Sequence, residues 1–334
     1  MISKEEFRSY VKTIVENNKE TINENLKKTK NGSPIGVVLF IIVFIISTLA
    51  IATGSTAILF FIVPISFFAS FFIIIFAILR SRTFSNNYKS EEYKADVVEY
   101  LLKDYNYSYD KDGGIDSSEY DKSPMYEWYD KYKTEDYLKI NLSNNLTQKS
   151  DCWLRICDLC TFREVKEEVH HSFDDEDDMF HRYETRDVIV FNGSFGYIQF
   201  NENFKTNLYI NCPSSSYRGK VEYIRLEDIN FNRKFLVYSN DQVEARYILN
   251  PRIMGLIDEL NNKVNGGATK VRRVISIALV GSRMYFTFSG GFKLFELNRY
   301  YKDTSEIFDN FYDDMEIILK LVEEIQNNNK IFKI

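Results

Sequence analysis

Two uncharged runs, residues 35–53 (IGVVLFIIVFIISTLAIAT) and 57–79 (AILFFIVPISFFASFFIIIFAIL), constrain this chain more than any other feature. A helix crosses a hydrocarbon core with roughly 20 apolar residues, and both runs reach that length. Only Gly54, Ser55 and Thr56 separate them, so the sequence predicts a tight antiparallel transmembrane hairpin. The charged amphipathic segment before the first run and the second run directly after it argue against a signal peptide. Pro64 should kink the second helix, because it removes one N–H and its ring crowds the preceding turn. Ser33 and Pro34 suit the N-cap and first turn of the first helix. Lys27, Lys28 and Lys30 precede the hairpin, Arg80, Arg82 and Lys89 follow it, and the turn carries no charge. Positive flanks stay inside, so the expectation is a multi-pass protein of the inner (cytoplasmic) membrane, with the lipid bilayer as a partner and both termini cytoplasmic.

The rest of the chain reads differently. Before the hairpin, residues 1–34 hold an amphipathic helix in which Phe7, Val11, Ile14 and Val15 recur at helical spacing. Its mixed charges favour docking on the main domain over lying on a lipid surface. After the hairpin (35–79), residues 80–334 form one cytosolic domain, or two with a seam near 215–225. Residues 90–105 read as a helix and DKDGGID (110–116) as a turn. Strands are predicted in YLKINLS, CWLRICDLCTFREV, DVIVFNGSFGYIQF, NLYINC, KFLVYS, TKVRRVISIALV, RMYFTF and FKLFEL, all rich in β-branched and aromatic residues. Helices fall near 241–265, and a C-terminal helix carries the stripe Phe308, Phe311, Met315, Ile318, Val322 and Ile325, with Thr304 or Ser305 as its cap. Strand runs closed by a helix, without repeating βαβ units, predict an α+β fold with a mostly antiparallel sheet.

Polar chemistry is densest in YSNDQVEARYILNP (238–251), which places Asp241, Gln242, Glu244, Arg246 and Tyr247 together. Asp241 and Glu244 stand three apart at a helix start, the spacing of a capping box. Asn250 and Pro251 repeat the signal for a second helix, whose apolar face is Ile253, Leu256, Ile257, Leu260 and Val264 and which NGG (265–267) ends. Arg246 and Gln242 fall outside this account. For Arg246 an ion pair or a clamp on carbonyls competes with a ligand contact.

LEDINFNRKFLVYSNDQVEARYILNP (226–251) resembles the signature of a bacterial family catalogued as domain of unknown function 3137. VFNGSFGYIQFNENF (190–204) resembles that family's preceding strand block, and the hairpin and DKDGGI turn come in the same order. The resemblance runs from about residue 80 to the C-terminus. It implies a membrane-anchored bacterial protein and brings no activity with it. The acidic insert after residue 163 and the cysteines before it depart from the family pattern.

Other candidates for chemistry are weaker. The chain has Cys 4, at positions 152, 157, 160 and 212, which read as reduced thiols. Cys152, Cys157 and Cys160, near His170, His171 and His181, offer zinc ligands, but in a strand Cys157 faces away from the other two. DDEDD (174–178) lacks the glycine and spaced oxygens of a calcium loop and reads as a solvated acidic loop. No Walker loop is present, and the three histidines all fall in the acidic segment, which counts against histidine-based hydrolysis. A net charge of −6 with no basic stripe makes nucleic acid a poor partner. No cofactor is implied. The sequence therefore favours a non-catalytic binding or scaffold module with a protein partner at the membrane. An enzyme using carboxylates and arginine around Asp241–Arg246, and a lipid-binding module of pleckstrin-homology type, are the alternatives.

Overall fold

The computed structural model describes residues 1–17, 91–142, 152–168, 183–213, 221–265, 274–295 and 304–332. The chain divides into two compact units, residues 1–8 with 97–334, and residues 9–96. Of the second, the described part is the end of helix α1 (Lys4–Asn17) and the start of helix α2 (Glu91–Leu101).

The first unit is built on a single sheet. Its strands are β1 (Asn106–Asp110), β2 (Lys131–Asn141), β3 (Trp153–Glu168), β4 (Tyr183–Gln199), β5 (Leu208–Ile210), β6 (Glu222–Tyr223), β7 (Val237–Ser239), β8 (Ile275–Val280) and β9 (Arg283–Phe288). Among the described residues they form nine strands in the order β1-β2-β3-β4-β9-β8-β5-β7-β6. Every pairing is antiparallel. Strands from both sides of residues 215–225 therefore lie in the same sheet. Between and after the strands come α3 (Ser117–Asp121), α4 (Ile229–Lys234), α5 (Gln242–Ile248), α6 (Pro251–Asn265) and α7 (Thr304–Asn327). The α+β antiparallel expectation holds.

Side chains alternate across the sheet, which gives it two faces. One carries Leu138, Ile140, Leu154, Ile156, Ile198, Met284, Phe286, Leu279, Ile277, Leu208 and Ile210, all buried. Helix α7 belongs to this face: Phe311 meets Phe295 at 5.6 Å, and Phe295 meets Tyr109 of β1 at 6.0 Å. Helix α6 packs along α7, and Arg252–Glu324 (2.8 Å) and Lys263–Asp313 (3.0 Å) ion pairs tie the two. The opposite face is rich in tyrosine. Around Cys157, Leu159, Phe191 and Phe195 it is covered by the α3 segment, with Tyr120 edge-on to Phe195 at 5.2 Å.

Strands β3 and β4 outrun the sheet. Their pairing continues to Glu168↔Tyr183, while β9 stops at Ser194 and β2 at Phe162. Residues 163–168 and 184–189 thus form a two-stranded arm, mostly exposed.

The first residues of the chain are part of this unit. Phe7 is fully buried and packs on Tyr312 of α7 at 5.4 Å, whose hydroxyl donates to the Ile2 carbonyl at 2.8 Å. Lys4 Nζ lies 2.5 Å from Asp313 Oδ1. Burial by itself raises the Asp313 carboxyl, but hydrogen bonds from Lys4 and Lys263 outweigh it and hold its pKa below the ordinary value. A lowered carboxylate pKa contributes stability above the unfolded value, about 4, that is lost as pH falls through the folded one. The expected result is a thermal midpoint that drops between about pH 5 and 3 more steeply in the wild type than in Asp313→Asn. Parallel profiles for the two proteins would contradict this.

The structure corrects the membrane expectation. Among the described residues, no helix is long and apolar enough to cross a membrane, which stands against the expected transmembrane hairpin and multi-pass inner-membrane placement. Helix α7 shows why length is not sufficient. Its 24 residues include Asp309, Asp313, Asp314, Glu316, Lys320, Glu323 and Glu324 around one apolar stripe, the pattern of a helix covering a sheet. The runs 35–53 and 57–79 that motivated the expectation lie outside the described residues, as do His170, His171, His181 and the 174–178 acidic loop.

Candidate functional site

The polar stretch predicted as a site is built mainly into helix ends. The backbone N–H groups of Val243 and Glu244 donate to Asp241 Oδ1 at 2.9 and 3.1 Å, which caps α5. The reciprocal half of the capping box is made differently: the Asp241 N–H donates to Ser239 Oγ at 3.3 Å. Asn250 caps α6 by accepting from Arg252 and Ile253 at 2.9 and 3.0 Å. Arg246 is a carbonyl clamp, donating to Gln242 O at 3.3 Å and to Arg225 O at 3.2 Å. Gln242 Nε2 donates to Glu222 Oε2 at 3.1 Å, which ties α5 to the edge strand β6. Asp241→Ala is expected to cost about 1 kcal/mol, the usual worth of an N-cap. Urea unfolding measures it, and a loss under a few tenths would show the cap to be idle.

Tyr247 has a different role. With Val243 it forms an i,i+4 pair on the outer side of α5, both well over half exposed. Tyr223, Ile229 and Leu236 are also exposed. Of eight large apolar side chains exposed among the described residues, five therefore fall between positions 223 and 247. Exposed apolar side chains that form a contiguous patch mark interaction surfaces, whereas single scattered ones do not.

The cysteines do not converge. Cys157 sits on the tyrosine face in the cluster with Tyr120 and Phe195, and Cys152 is buried at the start of β3 beside Gln326 of α7. Cys160 lies eight positions beyond Cys152, which in an extended strand is about 26 Å. No zinc ion reaches both. None of the four cysteines is in a disulfide, and burial pushes Cys152, Cys157 and Cys212 up to about 12. Cys160, half-buried, is raised by burial against the pull of Lys293 and Lys133. Alkylation near neutral pH should therefore be slow at all four and fast only after denaturation, with Cys160 modified first. Rapid labelling of Cys157 or Cys212 in the native protein would contradict this packing.

One cluster escaped the sequence reading. Glu135, Asp136 and Asp158 bring one carboxylate oxygen each to within 4.8 Å of one another. Asp136 and Asp158 are buried. Asp136 has φ 59°, where the β2–β3 register shifts between Glu135 and Leu138. Tyr109 donates to Asp136 Oδ1 and Ser194 to Asp158 Oδ1, both at 2.5 Å, while Lys293 pairs with Glu135. The sequence signal was a Glu-Asp pair inside an otherwise regular strand pattern.

With the geometry in hand, the comparison with known families becomes specific. Residues 189–327 match the family model described as Protein of unknown function (DUF3137). This is the family whose signature 226–251 resembled. The matched segment begins within β4, where the two-stranded arm joins the sheet, and ends on the last residue of α7. It contains β5–β9 and α4–α7, and leaves β1–β3 and the acidic cluster's three carboxylates outside it. Searches among curated proteins and among solved structures give no match.

Proposed function

We propose that this chain is a non-catalytic protein-binding module that engages an apolar protein surface through the outer side of residues 223–247. The observation that carries this reading is the concentration of Tyr223, Ile229, Leu236, Val243 and Tyr247, exposed within one short segment. The polar residues around them are used in the fold: Asp241 in a cap, Arg246 on two carbonyls and Gln242 on Glu222. An enzyme built on this stretch would instead turn Arg246 and its carboxylates toward a shared pocket. The lipid-binding alternative relied on Arg80, Arg82 and Lys89, which lie outside the described residues. The partner is expected to present apolar side chains, since the five exposed apolar residues offer contact area while the charged residues among them are of mixed sign.

A photoreactive amino acid in place of Tyr247, compared with one in place of exposed Lys205, tests the reading in cells that express the full chain. Support would be a discrete adduct formed from position 247 and not from 205. The crosslinked protein, purified and mixed with this chain, should then lose affinity about tenfold or more with Val243→Asp, while thermal unfolding is unchanged. Adducts that form equally from both positions, or affinity indifferent to Val243→Asp, would overturn it.

A further inference from the structure

A single row of side chains, paired directly from strand to strand, crosses all nine strands on the tyrosine face. It runs Ser108, Lys139, Arg155, Tyr197, Tyr285, Ala278, Tyr209, Tyr238 and Tyr223. At one end of the row two cations stand opposite each other, Lys139 on β2 and Arg155 on β3. Like charges in directly opposed positions destabilise a strand pair. Each is held over an aromatic ring: Lys139 Nζ lies 4.3 Å from the Trp153 ring centre and the Arg155 guanidinium 5.3 Å from that of Tyr197. Burial raises the Tyr137 hydroxyl, and the nearby Arg155 pulls it back down. Arg283, further along β9, lies 5.1 Å from the Tyr197 ring centre but is neutralised by Glu119. Among the described residues no carboxylate forms an ion pair with Lys139 or Arg155, although the chain as a whole is acidic at −6. Both side chains are half-buried, and the neighbouring positions of β1 on this face, Asn106 and Ser108, are exposed.

We propose that Lys139 and Arg155 form a binding site for the phosphate group of a small soluble phosphate monoester. A dianion placed between them converts a repulsive cross-strand pair into two attractive ones. The guanidinium offers a fork of N–H donors to phosphate oxygens, and the ammonium adds a compact charge. The two aromatic rings limit where the cations move, so less freedom is lost on binding. Two compensating cations match one phosphate group and not a polymer, whose backbone needs a longer run of positive charge.

Trp153 supplies the readout, because a ligand that draws Lys139 from its ring changes its fluorescence. The chain has Trp 2, and Trp128→Phe isolates the signal of Trp153 in the full-length protein. Titration with glycerol phosphate should give a saturable change and raise the unfolding temperature. Lys139→Gln and Arg155→Gln should each weaken binding about tenfold or more. Without ligand, both variants should melt at or above the wild-type temperature, because the cross-strand repulsion is gone. No saturation with millimolar glycerol phosphate, or equal affinity in the Lys139→Gln/Arg155→Gln double variant, would overturn the site. Binding only to phosphatidylcholine vesicles that contain phosphatidic acid, with no response to the soluble ester, would overturn the assignment in favour of a lipid headgroup.

Discussion

Phe7→Ala is expected to lose about 3–5 kcal/mol of folding stability, the range for truncating a buried aromatic. Phe7 has no exposed surface, and its ring rests on Tyr312 in the first half of α7, the longest helix among the described residues. The Tyr312 hydroxyl and the Lys4–Asp313 pair hold the same contact from either side. The truncation leaves a cavity that the chain's first residues cannot fill, because Ile2 and Lys4 are already placed by those bonds. Equilibrium urea unfolding of the full chain, followed by far-ultraviolet circular dichroism, measures the loss. A change under about 1 kcal/mol would mean that the first turn of α1 is an accessory to the fold.

Gly193→Ala is the second large effect, and it acts through backbone rather than packing. A Cβ at Gly193 would stand 1.8 Å from the Phe288 carbonyl oxygen and 3.2 Å from that of Phe292. Neither atom is the end of a flexible side chain, so β4 and the chain leaving β9 must part just where their pairing ends. The cost is expected at about 3 kcal/mol or more, above most overpacking substitutions. Gly255 provides the opposite case. It lies inside α6, and a methyl group added there would meet nothing within 4 Å. Gly255→Ala should stabilise by about 0.5–1 kcal/mol, the helix preference of alanine over glycine. Unfolding curves for both variants check the contrast in sign, and a destabilised Gly255→Ala would refute the open environment.

Much of the fold was readable where local chemistry and burial agree. Strands β3, β4, β8 and β9 carry β-branched and aromatic residues that suit a pleated, half-buried surface, and α5 and α6 announce themselves through Asp241, Asn250 and Pro251. What escaped is what lacks such agreement. Strand β1 (Asn106–Asp110) is an edge whose exposed face is Asn106, Ser108 and Asp110, so nothing apolar marks it. FKLFEL reads as a strand, yet Gly290 and Gly291, both with φ 76°, turn the chain away, and residues 292–295 take no strand pairing. The 241–247 stretch was legible as helix punctuation. The Glu135–Asp136–Asp158 cluster was not, because it depends on a register shift in β2 that brings together residues far apart in sequence. The Lys139–Arg155 pair was hidden for the same reason: only strand register sets two distant cations face to face. The membrane expectation was read from residues 35–79 alone, and no described helix repeats that composition.

The position of the β8–β9 hairpin in the sheet governs how this protein must be made. Before it arrives, β1–β4 and β5–β7 are two separate ribbons, each ending in a bare edge, because β4 and β5 meet only through β9 and β8. A polypeptide interrupted shortly before Ile275 would leave both edges ready to accept strands from neighbouring molecules. Synthesis thus passes through a window of vulnerability that closes with the wedge formed near its end, and shortened versions of this protein should clump rather than fold.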